Sequence, residues 1–102
     1  MKTFRDLRVA SLIGRELSKL FLKKIDFDGV FVTITAVEVS TDLLQAKVKL
    51  GIIPFEKGPE VFNLLEERRR ELQHLLLKRI NIKPMPRIKF VMATPDLAQR
   101  ED

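Results

Sequence analysis

Apolar residues recur with two different periods along this chain, and each change of period marks a boundary between elements. Over residues 3–23, Leu7, Ala10, Ile13, Gly14, Leu17, Leu20 and Phe21 fall on one side at the helical spacing. Arg5, Arg8, Arg15, Lys19 and Lys23 gather on the other, which predicts a basic amphipathic helix. Asp26 to Gly29 is turn chemistry and ends it. From there the period becomes two. A strand over 30–40 places Val32 and Ile34 on one face but Val37 and Val39 on the other. One continuous strand cannot bury both pairs against a single layer, so the parity change predicts a β-bulge near Ala36. A polar turn at Ser40-Thr41-Asp42 follows. The next strand, 44–52, alternates cleanly, with Leu44, Ala46, Val48, Leu50 and Ile52 inward and Gln45, Lys47 and Lys49 outward. The pair reads as an antiparallel hairpin.

Pro54 to Pro59 is a loop, and Pro59 sits where a helix accepts proline, in its first turn. The helical pattern then runs to Ile80 with a stripe of Val61, Leu65, Leu72 and Leu76, flanked by Phe62 and Ile80. A straight helix would aim Arg68 and Arg69 into that stripe. Two buried, unpaired guanidinium groups are too costly, so the pattern predicts a kink or break there, or outward snorkelling of both side chains. Pro84 and Pro86 close the helical region, and Arg87 to Met92 forms a last strand with Ile88, Phe90 and Met92 inward. Residues 94–102 read as a short polar tail beyond a single domain at 1–93. The order α-β-β-α(-α)-β specifies an α+β fold: a two-layer sandwich with its helices on one face of a three-stranded sheet.

Composition narrows the function. The chain has 102 residues, enough for one domain with a modest core, and no cysteine, which removes disulfides, thiolate metal sites and cysteine nucleophiles. No apolar run approaches the ~20 residues that cross a bilayer, and the charged start Met1-Lys2-Thr3-Phe4-Arg5-Asp6 does not resemble a signal peptide. A soluble, cytoplasmic, monomeric protein with no membrane partner is expected. Catalytic arrangements are missing. His74 is the only histidine and falls on an outer helical face; Asp26/Asp28 and Glu66/Glu67 have no ligand-like spacing; the four glycines are isolated and form no phosphate loop. No enzyme, metal, cofactor or small-molecule substrate is therefore expected.

Charge points elsewhere. The chain carries 19 Lys and Arg against 14 Asp and Glu, a net charge of +5, which suits a polyanionic partner. Between Arg68 and Lys89 eight basic residues (Arg68, Arg69, Arg70, Lys78, Arg79, Lys83, Arg87 and Lys89) meet one acid, Glu71. These eight, with Arg5, Arg8, Arg15 and Lys19 on the first helix, are the candidate RNA-binding residues. Pairing of the three arginines with Glu66, Glu67 and Glu71 at helical spacing is the competing reading. All seven aromatic residues are phenylalanine and most are assigned to the core, so readout of RNA shape and backbone is expected rather than base stacking.

Three stretches resemble the ribosome-binding factor A family over residues 5–90. They are Arg5-x-x-Arg8-Val9 with Ile13 and Glu16-Leu17; Val32-Thr-Ile-Thr-Ala-Val-Glu-Val-Ser40 with Asp42-Leu43 and Ala46-Lys47-Val48; and Pro86-Arg-Ile-Lys-Phe90 after Leu76-Leu77-Lys78-Arg79. The resemblance implies a KH-like fold of the second topological type. It also implies binding to ribosomal RNA of the immature small subunit late in maturation, a part in rRNA processing and cold adaptation, and RNA contacts around the junction of the last helices. The chain departs from the pattern in three places, one being that the family's acidic residue soon after the final strand is missing at 92–94. It has no Gly-x-x-Gly loop, and Arg68-Arg69-Arg70 stands where the family turns between helices on an Ala-x-Gly kink. The alternative is a protein-binding module of similar topology with no RNA role.

Overall fold

Helix α1 (Phe4–Lys24) lies across the sheet on Val9, Ile13, Leu17, Leu20 and Phe21, all buried. The computed structural model describes residues 4–93, so the expected tail at 94–102 lies outside the described residues. At its first turn α1 departs from expectation: Leu7 is 54% exposed, and the inward position is taken by Asp6, which is 2% exposed. The geometry explains the shift. Positions 6, 9, 13, 17 and 20 follow one another by three or four residues and track one line down the helix, whereas residue 7 leads that line by about 100°.

Strands β1 (Phe31–Val39) and β2 (Gln45–Ile53) form the antiparallel hairpin. Their register slips between Ile34 and Ala36, leaving Thr35 as the extra residue, one position before the expected site. The bulge does what the parity change requires: Val32 and Ile34 before it, and Val37 and Val39 after it, all pack against or within the core. The hairpin turn is held by its own side chains. The Ser40 hydroxyl donates to Asp42 Oδ1 at 2.6 Å, and the same oxygen accepts the Leu44 N–H at 3.0 Å. Because Leu43 adopts φ +64 and pairing begins only at Gln45, Leu44 belongs to the turn and is 55% exposed rather than inward.

After a 3-10 turn (Phe55–Lys57), helix α2 runs without interruption from Gly58 to Ile80. No break occurs at Arg68–Arg70, and the two-helix alternative is replaced by one helix. Snorkelling is the solution taken. Val61, Leu65, Leu72 and Leu76 are buried, and Arg68 and Arg69, half-buried, leave the stripe on opposite sides. Arg68 turns toward α1, where its Nη2 donates to the Lys24 carbonyl at 3.2 Å; Arg69 turns toward the sheet edge. Asn81 ends the helix in the left-handed conformation with its N–H on the Leu77 carbonyl.

Strand β3 (Arg87–Met92) joins β2 in parallel, which gives a mixed sheet of order β1-β2-β3. The core lies between this sheet and the two helices, as the two-layer α+β reading requires. Of the seven phenylalanines only Phe21 and Phe90 are buried, fewer than expected, while Phe31 and Phe55 stand exposed.

Candidate nucleic-acid interface

The candidate cations divide once their partners are known. Arg68 Nε donates to Glu71 at 2.7 Å and Arg69 Nε to Glu66 at 3.1 Å, so two of the three arginines are paired within their own helix. The Arg68 hydrogen bond holds the Glu71 carboxyl below its usual range. Arg79 reaches across to Glu16 on α1 at 3.0 Å, and Lys19 approaches the same carboxylate at 3.4 Å. The Arg79 hydrogen bond, chiefly, lowers the pKa of Glu16. These four cations fasten the helical layer to itself. Arg70, Lys78, Lys83, Arg87 and Lys89 differ: all are exposed, and none forms an ion pair among the described residues. Arg5, Arg8 and Arg15 are likewise exposed along the outer side of α1.

Of the later group, Arg70, Arg87 and Lys89, together with Arg69, lie around the free edge of β3. A groove of about 470 Å³ runs between α2 and that edge, with Phe62 and Phe90 at its floor and Arg69, Arg87 and Lys89 along its rim. A second depression, of about 550 Å³, shares Arg69 and Arg87 and continues past Arg70 to Met85. The edge is fixed in place by one residue that periodicity does not single out. Gln73 donates from Nε2 to the Pro86 carbonyl at 2.8 Å and accepts the Ile88 N–H on Oε1 at 2.9 Å. Its amide thus clamps the backbone on both sides of Arg87 and satisfies an edge donor that would otherwise face the groove. A glutamine on a helical face gives no sign of this in sequence.

His74 is exposed, and among the described residues no three acidic, histidine or cysteine side chains come together to hold a metal. Among the described residues no helix is long and apolar enough to cross a membrane. What the geometry defines is a small mixed-sheet α+β domain whose charged rim surrounds a sheet edge.

A family model described as ribosome-binding factor A matches residues 5–99. The chain belongs to the ribosome-binding factor A family, which is named for binding the ribosome and not for a reaction. Ribosome-binding factor A of Cytophaga hutchinsonii is 34% identical over 96 residues, covering 90% of this chain and 72% of the relative. That of Opitutus terrae is 34% identical over 89 residues, covering 86% and 73%. Among solved structures, the crystal structure of ribosome-binding factor A from Thermus thermophilus superposes with a TM-score of 0.72 at 22% identity, over 85% of this chain and 94% of that one. A homology model of the Thermus thermophilus protein, fitted into a cryo-EM map of its complex with the 30S subunit, gives a TM-score of 0.64 at 20% identity, over 85% and 89% of the two chains.

Proposed function

We propose that this protein is a non-enzymatic assembly factor that binds ribosomal RNA of the immature small subunit during late maturation. In this reading it acts as a cytoplasmic monomer and matters most for ribosome production in the cold. The carrying observation is the run of Arg70, Lys78, Lys83, Arg87 and Lys89, exposed and outside every ion pair among the described residues. A cation already neutralised by a neighbouring carboxylate has little field left for a phosphate; these five retain theirs. Membership of a family named for binding the ribosome supports the reading, as does the fitting of the Thermus thermophilus relative into a map of a 30S complex.

Co-sedimentation with small subunits across a salt series tests the reading. Five phosphate contacts predict that log affinity falls with log salt at a slope of about −3 to −5. A slope flatter than about −1 would remove RNA as the main partner and favour the protein-binding module.

A further inference from the structure

The sheet has a second face, turned away from the helices, where four cations meet a single acid. Parallel pairing sets Lys47 directly beside Lys89 and Gln45 beside Arg87. Lys49 follows Lys47 two residues along the same strand, so all four cations point to the same side. Lys47, Lys89 and Arg87 are exposed, and Lys49 is half-buried. Neighbouring strands lie about 5 Å apart and alternate residues about 6.6 Å, so the four charges occupy a patch no wider than a few phosphates. The strand residues of this face include one acid, Glu38, whose carboxylate lies 2.9 Å from Lys49 Nζ. The remaining polar positions, Thr33 and Thr35, are uncharged. Lys47 has Glu38 opposite it on β1, but Lys89 meets only the like charge of Lys47, which destabilises a sheet, so Lys89 does nothing for the fold that a neutral residue would not do better.

We propose that the open face of the sheet, through Lys47, Lys49, Arg87 and Lys89, is a second RNA-contacting surface that holds the sugar–phosphate backbone. It rests on the RNA-binding reading above and extends it: Arg87 and Lys89 sit where the groove rim meets this face, so the cationic surface wraps around the β3 edge instead of ending there. The RNA is gripped from the helix α2 side and from beneath the sheet. Backbone is the part recognised, because the only exposed aromatic on the face, Phe31, lies at the far end from the cations, opposite Ile53.

The test is fluorescence anisotropy of the full chain on a labelled RNA hairpin and a single strand of equal length, at several salt concentrations. Lys47→Gln and Lys89→Gln are each expected to weaken binding about three- to tenfold and to reduce the salt slope by about 1, and the double variant by about 2. The melting temperature of Lys89→Gln should hold or rise, since it relieves the like-charge pair and leaves Lys47 opposite Glu38. Glu38→Gln should bind RNA more tightly than the unaltered chain. Unchanged affinity and slope in the double variant, with the parent chain binding RNA, overturns the second surface while leaving the first intact. A Lys89→Gln melting temperature that falls along with affinity overturns it also, by showing a structural role. Competition by poly-glutamate as effective per charge as by RNA reassigns the face to an acidic protein. Failure of the parent chain to bind either RNA removes both readings together.

Discussion

Asp6 is the residue whose placement is hardest to reconcile with stability. Its side chain is 2% exposed, and neither carboxylate oxygen has a hydrogen-bond partner among the described residues. A place in the first turn of α1 offsets part of the cost, because the helix N-terminus favours negative charge. That effect is smaller than the penalty for a buried polar group left unpaired. Asp6→Leu, which keeps the branched shape and replaces both oxygens with methyl groups, should therefore stabilise the fold by about 1–3 kcal/mol in urea or thermal melts. A loss of that size would mean that Asp6 has a partner after all. Glu16 shows the opposite behaviour. Arg79, and less strongly Lys19, hold its pKa below the ordinary 4.5. A carboxylate whose folded pKa is depressed stabilises the fold above its unfolded value and loses that contribution as pH falls through the folded one. Glu71, lowered by Arg68, and Asp42, lowered chiefly by the Ser40 hydroxyl, act in the same direction. The melting temperature should thus decline as pH drops below 4.5, and Glu16→Gln should flatten that decline while lowering the plateau above it. A variant with an unaltered pH profile would show that the α1–α2 ion pair contributes nothing to stability.

At the scale of elements, the decisive finding is the continuity of α2. Arg68 and Arg69 were incompatible with a straight helix only if both guanidinium groups stayed inward and unpaired, and the long side chain removes that condition. Arg68 and Arg69 lie beside the buried line of Leu65 and Leu72, lay their methylenes over the flanks and carry their charged ends to Glu71, Glu66 and the Lys24 carbonyl. The helix therefore needs no glycine at this point. Amide exchange should be uniformly slow from Leu65 through Leu76, with no fast island at Arg68–Arg70; such an island would restore the two-helix description. Gln73 belongs to the same scale, since its two hydrogen bonds tie α2 to β3 and set the position of Arg87.

For the whole molecule, the question is which charged surface carries most of the RNA binding. One is the outer side of α1, with Arg8 and Arg15; the other surrounds the β3 edge. Reversing Arg69 would mix two effects, because it also breaks the pair with Glu66. Arg70→Glu with Arg87→Glu is cleaner, as both line the depression at this edge and neither has an ion-pair partner among the described residues. That double variant should cost about 1–3 kcal/mol of binding, a tenfold to hundredfold loss, and Arg8→Glu with Arg15→Glu should cost less. Equal or inverted losses, in proteins with native circular dichroism, would move the main interface to α1.

Much of this was legible in one dimension because it depends on periodicity alone. The two helices, the hairpin, the parity change that demanded a bulge, and the last strand all follow from which residues repeat at 3.6 and at two. So do the surplus of cations after Arg68 and the lack of any catalytic or metal-binding grouping. Where a residue's role depends on what comes near it from a distant part of the chain, the sequence was silent. Asp6 and Leu7 exchange places because the sheet selects one line on α1 over a neighbouring one. Arg79 becomes a structural cation only because Glu16, 63 residues away, lies against it. Lys47 and Lys49 read as ordinary outward lysines of a hairpin until β3 arrives in parallel and sets Lys89 beside Lys47. Alternation decides which side of a strand a charge takes; only strand pairing decides which other charges it must face there.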